Sequence, residues 1–282
     1  KIYSLHTPKK MDFAGEKVPL QLMDVKEKLD RELLVNTYWQ SQTMLFIKRA
    51  NRYFPLIEQI LKSNGVPEDF KYLALIESGL DHVVSPSGAT GIWQIMKETG
   101  TQYGLEINDE IDERYHLEKS TQIACKYLKE AHRKFGSWTL AAASYNMGIS
   151  GLERQLEKQR VKNYYDLLLN IETGRYVYRI LAVKQIIENP ESYGFTFIKD
   201  HLYPQVATRD TLIDSSIENL ADFAKNKEIN YKILKALNPW LRSNSLKVTG
   251  KSYTIQLPES GSEQLAPVDT ASYQKINPGE NG

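Results

Sequence analysis

Glu77 is the residue whose surroundings best suit acid–base chemistry. It follows an apolar run at residues 72–76 and stands two positions before Gly79, which can end a helix. A carboxyl group at the border between a core and a cleft loses water, and this desolvation raises its pKa. A glutamate with a raised pKa can act as a general acid near neutral pH. Periodicity alone leaves open an ordinary glutamate exposed at a helix end.

A short helix is predicted to position Glu77. Pro67 is tolerated in a first helical turn, and the two acidic residues after it favour the positive end of the helix dipole. Gly79 supplies a left-handed exit, so the helix should run from about Pro67 to Ser78. Apolar residues at helical spacing then place Glu77 at the edge of the buried face.

Three further polar motifs follow Glu77 in the chain. A turn-rich loop at residues 85–91, Ser-Pro-Ser-Gly-Ala-Thr-Gly, leads into an apolar segment at 91–96 that contains one glutamine. Ala-Ala-Ser-Tyr-Asn-Met-Gly at 142–148 is predicted to end one helix, and Ile-Glu-Thr-Gly-Arg-Tyr-Val at 171–177 to begin another. Taken singly, the polar residues could cap backbone groups or lie in the core.

In this order the motifs are specific. Glu-Ser at 77–78, Gly-x-x-Gln-x-Met at 91–96, Ala-x-Tyr-Asn-x-Gly at 143–148 and Glu-Thr-x-x-Tyr-Val at 172–177 resemble the soluble-type (SLT domain) lytic transglycosylase family. The likeness is greatest to its membrane-bound lytic transglycosylase D branch. It implies a lysozyme-like, mainly helical fold and cleavage of peptidoglycan between N-acetylmuramic acid and N-acetylglucosamine. The departures from the family pattern are apolar replacements at Ile92, Ile95 and Met147.

The resemblance also implies a role for each matching residue. Glu77 matches the single catalytic acid, which protonates the leaving oxygen and then acts as a base, and the hydroxyl of Tyr176 would hydrogen-bond it. Glu172 has the alternative of a surface pair with Arg175 or Arg179. The positions expected to contact substrate are Ser78, Ser85, Ser87, Gln94, Tyr145, Asn146, Glu172 and Tyr176.

The number of carboxylates decides the expected mechanism. A glycoside hydrolase of the usual kind needs two carboxylates flanking the bond. No candidate near Glu77 matches a second catalytic position in the family, and residues 109–113 read as a solvated acidic loop. With one carboxylate, a hydroxyl of the muramic acid serves as the nucleophile and closes a 1,6-anhydro ring. The candidates for a second carboxylate are Asp81, Glu98, Asp109, Glu110 and Asp112.

Two alternatives stay open from the sequence. The first is a hydrolytic muramidase of the same fold, which requires a second carboxylate about 5 to 10 Å from Glu77. The second is a non-catalytic protein that only binds peptidoglycan.

Composition excludes several other classes of function. Lys and Arg total 36 against 35 for Asp and Glu, so no strong field favours nucleic acid. No metal-binding or cofactor motif occurs, and we expect neither. Cys125 is the single cysteine and is expected to be buried. We expect peptidoglycan glycan strands as the partner and a periplasmic or outer-membrane-associated location, with any membrane anchoring through a segment absent from this chain.

The domain prediction is a mainly α chain with a small α+β module near its end. We expect a loosely held N-terminal arm at 1–20, a lysozyme-like domain at 21–200 with its motif core at 66–180, and a tail at 259–282. Residues 201–258 should form strand, helix, helix, strand, which resembles the lysin motif (LysM), although its usual opening is reduced to Arg-Asp-Thr-Leu at 209–212. The alternative is a structural cap packed on the catalytic domain. Its elements are predicted at 206–213, 217–225, 231–237 and 252–257.

Overall fold

Helices dominate the fold, seen in a computed structural model that describes residues 3–261. The mainly α prediction is therefore confirmed. None of the helices within this range is long and apolar enough to span a membrane. The helices are α1 (Met23–Tyr38), α2 (Gln40–Ser63), α3 (Phe70–Ser78), α4 (Lys97–Gln102), α5 (Leu117–Phe135), α6 (Trp138–Met147), α7 (Ile149–Gln159), α8 (Ile171–Glu188), α9 (Leu220–Asn226) and α10 (Tyr231–Leu237). The strands are β1 (Asp12–Phe13), β2 (Glu16–Lys17), β3 (Thr208–Ile213) and β4 (Tyr253–Pro258).

Helix α3 lies in the centre of the larger core and carries Glu77 in its last turn. The helix is apolar on nearly every side, which is typical of a helix surrounded by other helices, and it packs against α2 and α8. Gly79 ends it with a φ of 65°, as predicted. The helix begins at Phe70 instead of Pro67, because residues 67–69 form tight turns in which Phe70 N donates to Pro67 O at 3.2 Å.

Local signals set the ends of the long helices around α3. Ser137 caps α6 by accepting a hydrogen bond from Leu140 N at 3.3 Å, and Gly136 ends α5 in the left-handed conformation. Helix α1 is joined to α8 by a partly buried ion pair, in which Arg175 donates to both oxygens of the buried Glu32 at 2.7 and 3.1 Å. Cys125 is buried on α5, as expected.

The N-terminal segment contradicts the expectation of a loosely held arm. Strands β1 and β2 form a small hairpin that buries Phe13 completely. Glu16 caps α6, because its carboxylate accepts hydrogen bonds from Ser137, from the backbone of Trp138 and from Thr139. Burial alone would raise the pKa of Glu16, but these hydrogen bonds outweigh it and the pKa is lowered. Helical periodicity gave no sign of this contact, since it joins residues over 120 positions apart in the chain.

The C-terminal elements form the predicted strand, helix, helix, strand. Strands β3 and β4 pair antiparallel, with Thr208 opposite Pro258 and Ile213 opposite Tyr253. Helix α10 has the predicted bounds, and the other three elements differ from prediction by three residues or fewer at each end. We refer to residues 208–258 as the C-terminal module. The predicted tail lies outside the described residues from position 262 onward.

The C-terminal module packs directly against the first domain. Its core includes Ile111 and Tyr115, which precede α5, together with Trp240 and Leu241 of the module. The prediction that residues 109–113 are a solvated loop is wrong for its last part, because the module covers Asp112 and its neighbour Glu113, and both are buried. The lysin-motif resemblance and the packed-cap alternative therefore describe the same module.

Lys184 is expected to hold the N-terminal hairpin and α3 together. Its ammonium group lies 2.6 Å from Asp69 and donates to the backbone oxygen of Asp12 at 3.2 Å, with 11% of the side chain exposed. We predict that Lys184→Met lowers the free energy of unfolding by about 1–3 kcal/mol, because buried acceptors lose their donor. Denaturant unfolding followed by circular dichroism measures this change.

Lys134→Met is the matched control. Lys134 also forms an ion pair at 2.6 Å, with Glu153, but both side chains are more than a third exposed. Its loss should cost about 0–1 kcal/mol. Equal effects of the two substitutions would contradict the assignment of Lys184 as a structural anchor.

Candidate active site

Glu77 lies in the last turn of α3 with its side chain partly exposed, and Tyr176 of α8 donates a hydrogen bond to its Oε1. Burial raises the pKa of Glu77, and the charge of Glu172 acts in the same direction. The hydrogen bond from Tyr176 and the positive charge of Arg179 oppose this shift, but the pKa stays above its ordinary value. Glu77 therefore has the environment that a carboxylic acid needs to donate a proton closer to neutral pH.

Arg179 is a residue of this site that sequence reasoning assigned only to a surface pair. Its Nη2 donates to the carbonyl oxygen of Ile76 at 3.0 Å, next to Glu77. Its position one turn after Tyr176 on α8 was the available signal, since residues three apart share a helix face. Arg179 therefore anchors the end of α3 and places a positive charge near the carboxyl group.

Tyr145 of α6 lies close to Glu77. Its hydroxyl donates to the carbonyl oxygen of Trp93 at 2.8 Å, which ties α6 to the loop that precedes α4. Burial raises its pKa well above the ordinary range, and the nearby Glu77 raises it further. Tyr145 is therefore a neutral hydroxyl at working pH, and it joins α6 to the segment that contains Trp93.

Asn146 and Glu172 meet across the gap between α6 and α8. Asn146 Nδ2 donates to Glu172 Oε1 at 2.9 Å, and the buried Thr173 donates from its hydroxyl to Asn146 Oδ1 at 2.7 Å. This second bond fixes which side of the amide faces Glu172. Sequence reasoning gave Thr173 no role, because its partner lies on another helix. Glu172 pairs with neither Arg175 nor Arg179 in these hydrogen bonds, so its predicted alternative partners were wrong.

The loop of residues 85–95, called the substrate loop below, is joined to α6 by the hydrogen bond from Tyr145 to Trp93 O and to α3 by that from Ser78 to Ile92 O. Ser85 Oγ accepts a hydrogen bond from Ala89 N and lies 3.0 Å from Ser87 Oγ. Gln94 has a φ of 47°, and its Nε2 donates to the carbonyl oxygens of Val83 at 3.0 Å and Gly91 at 2.8 Å. Both amide hydrogens are thus used, and a ligand can be bound only through Oε1 of Gln94.

Ser78 connects this loop to the helix that carries Glu77. Its hydroxyl donates to the carbonyl oxygen of Ile92 at 2.8 Å, and it accepts a hydrogen bond from Leu80 N at 3.1 Å. The hydroxyl has a single proton to donate, and the hydrogen bond to Ile92 O already uses it. This geometry favours a structural role for Ser78 over the predicted contact with substrate.

The sequence offered several carboxylates as candidates for a second catalytic group, and the structure gives three of them other partners. Asp81 pairs with Arg49 at 2.8 Å, Asp112 pairs with a buried arginine, and Glu110 accepts hydrogen bonds from the C-terminal module. Glu172 was predicted as a substrate contact or a surface ion-pair partner and not as a catalytic carboxylate, yet its charge acts on Glu77. It is therefore the carboxylate that keeps the hydrolytic alternative open.

Two other features bear on ligands. Within residues 3–261, no group of three or more His, Cys, Asp or Glu side chains is arranged to hold a metal ion.

A cavity of about 450 Å³ lies in the C-terminal module, between the end of β3 and α9. Its polar lining includes Asp214, Ser216, Glu218, Asn219 and Asp222.

Comparison with known families finds a match for two parts of the chain. Residues 54–168 match the family model described as "Transglycosylase SLT domain". Residues 209–261 match the "Soluble lytic transglycosylase C-terminal LysM-like domain".

Curated relatives show a similarity that extends over both domains. The chain is 26% identical over 262 residues to "Membrane-bound lytic murein transglycosylase D" of Escherichia coli (strain K12), covering 90% of this chain and 56% of the relative. The protein with the same description from Escherichia coli O6:H1 gives the same figures. The chain thus spans little more than half the length of these relatives.

The raised pKa of Glu77 makes a prediction about stability. Below the pKa of an unfolded glutamate the group is protonated in both states, whereas above the folded pKa its buried charge costs free energy. Glu77→Gln should therefore raise the melting temperature at neutral pH, and the gain should vanish as the pH falls towards 4.

Melting temperatures measured at a series of pH values test this, with Glu157→Gln on the exposed face of α7 as the control. The control should have the same melting temperature as the parent at every pH. A Glu77→Gln variant that is less stable than the parent at neutral pH would show that the ionised carboxylate stabilises the fold.

Proposed function

Because this chain combines a transglycosylase SLT domain with a LysM-like domain, we propose that it is a peptidoglycan lytic transglycosylase. The observation that carries the proposal is Glu77, a carboxyl group with a raised pKa whose Oε1 is held by Tyr176 in the cleft. The reaction cleaves the bond between N-acetylmuramic acid and N-acetylglucosamine. It leaves a 1,6-anhydro ring on the muramic acid.

Glu77 acts first as the general acid. Its protonated carboxyl gives a proton to the glycosidic oxygen as the bond to the muramic acid C1 breaks. The resulting carboxylate keeps the hydrogen bond from Tyr176 and lies near the positive charge of Arg179, and both favour the ionised form. The two groups therefore stabilise the charge that develops on Glu77 during this step.

Glu77 acts next as the general base. The carboxylate removes the proton from the C6 hydroxyl of the same muramic acid, and the hydroxyl oxygen attacks C1. The new C–O bond closes the anhydro ring, and Glu77 regains the proton that it gave away. No water is consumed, so this route needs one carboxylate.

The cleft walls bind the glycan on both sides of Glu77. Ser85, Ser87 and the free amide oxygen of Gln94 belong to one wall, and Asn146 and Glu172 belong to the other. Tyr145 and Ser78 hold the walls in place through backbone carbonyl oxygens.

The C-terminal module offers a second place for glycan, in the polar cavity beside α9. Peptidoglycan strands are therefore the proposed partner of both domains. The relatives carry the words "membrane-bound" and "murein" in their descriptions, and we place this chain at the bacterial cell envelope, on the periplasmic side.

A hydrolytic muramidase is the second candidate, and Glu172 is the observation that favours it. A carboxylate that interacts with Glu77 across the cleft could activate water in place of the C6 hydroxyl. Against this role, one oxygen of Glu172 is engaged by Asn146.

Mass spectrometry of digested peptidoglycan separates the two candidates. We predict anhydro-muramic ends from the parent, and a loss of at least about 100-fold in their rate of formation for Glu77→Gln, because general acid–base catalysis contributes about 10²–10⁴-fold. Glu172→Gln should weaken turnover without changing the product. Glu157→Gln on the exposed face of α7 is the matched control, and should digest like the parent.

Other products would contradict the proposal in identifiable ways. Reducing ends that disappear in Glu172→Gln would make the protein a muramidase with two catalytic carboxylates. Binding of glycan without any cleavage by the parent would make it a peptidoglycan-binding protein.

A further inference from the structure

One buried side chain, Arg114, holds the substrate loop from beneath. Its Nη1 donates to the carbonyl oxygen of Gly88 at 3.1 Å and to that of Ile95 at 3.3 Å. Ile95 O also accepts a hydrogen bond from Thr90 N at 3.1 Å, which closes the loop on itself. A single guanidinium group therefore joins both arms of the loop that carries Ser85 and Gln94.

The backbone of Arg114 makes a second, independent contact with the loop. Gly91 has a φ of +79°, and a Cβ atom added there would lie 2.2 Å from the carbonyl oxygen of Arg114. Only glycine therefore fits at this position, and the loop backbone rests directly on residue 114.

Asp112 fixes the orientation of the guanidinium group. Arg114 Nε donates to Asp112 Oδ1 at 2.9 Å and Nη2 donates to Oδ2 at 2.7 Å, and both side chains are only 11% exposed. This two-point pairing uses one edge of the planar group and directs Nη1 at the substrate loop.

The C-terminal module holds the segment that contains Asp112. Asp112 N donates to the carbonyl oxygen of Trp240 at 2.9 Å, and Arg242 N donates to that of Glu110 at 2.7 Å. The guanidinium of Arg242 lies 4.1 Å from the ring centroid of Tyr115, whose ring also lies near His82 in the segment leading to the substrate loop. The module thus supports this region by backbone and side-chain contacts.

We propose that Arg114 is a positioning residue for glycan binding, and that the C-terminal module fixes it through Asp112. The module then has a role in forming the cleft, in addition to any glycan that it binds itself. This inference rests on the proposed function, because it assigns the substrate loop to glycan binding.

Steady-state kinetics on soluble, uncrosslinked peptidoglycan strands test the role of Arg114. The double variant Asp112→Asn/Arg114→Gln removes the ion pair without leaving a buried unpaired charge. Its KM should rise with a smaller change in kcat, and kcat/KM should fall between about 10- and 100-fold, because a small displacement of binding groups has effects of that size.

Two further variants separate positioning from folding. Arg114→Lys keeps the charge but not the planar fork, so its KM should fall between the parent and the double variant. Lys134→Gln in the exposed pair should leave KM unchanged. All assays are run below the melting temperature of each variant, and an unchanged KM in the folded double variant would overturn the proposal.

Hydrogen exchange tests the contribution of the module without using activity. Glu110→Ala/Arg242→Ala removes side-chain contacts between the domains but leaves Asp112 and Arg114 intact. Amides of residues 89–95 should then exchange faster, while those of α6 should not change. Unchanged exchange in the substrate loop would contradict a contribution of these two side chains and leave the module only its backbone hydrogen bonds to this segment. A parent that makes no anhydro product would instead contradict the proposed function, and the exchange result would still report on this linkage.

Discussion

The proposed chemistry depends on one carboxyl group, that of Glu77, which burial partly removes from water. Glu77 stands at the end of a helix that is otherwise packed on nearly every side, so its backbone cannot shift toward solvent without opening the core. Burial disfavours the charged carboxylate, and the hydrogen bond from Tyr176 only partly restores it. Because burial outweighs the opposing groups, Glu77 keeps its proton to a higher pH. Once the proton has left, the hydroxyl of Tyr176 stabilises the carboxylate by donating a hydrogen bond to it.

Ion pairs around this helix hold it in position and take no part in the proposed reaction. Lys184 joins Asp69, just before α3, to the N-terminal hairpin, and Glu32 joins α1 to α8 one residue before Tyr176. Removing one member of such a buried pair leaves the other without its partner, so these contacts define the arrangement of the helices. On the far side of the cleft the C-terminal module takes the corresponding role, since it covers the segment that holds the substrate loop.

The sequence predicted a helix end correctly where the residues that set it lie within that helix or next to it. Gly79 marked the end of α3 correctly, because a left-handed glycine acts within a few residues. The sequence motifs also selected residues that the structure brings into one cleft, but their catalytic and binding roles stay predictions. Long-range contacts were missed: Glu16 caps a helix far along the chain, and Arg114 is buried by two segments that no periodicity connects. Charge alone suggested solvent at Asp112, whereas its pairing with Arg114 and its contact with the module explain its burial.

The measurement that tests the central claim most directly is the pKa of Glu77 itself. Carbon-13 NMR of labelled glutamate carboxyl groups across a pH titration, with the Glu77 resonance assigned by its loss in Glu77→Gln, gives this value. The account predicts a midpoint above that of an ordinary glutamate, about 4.3. A midpoint at or below the ordinary value would mean that Glu77 is ionised at working pH, and it would remove Glu77 as the acid that starts the reaction.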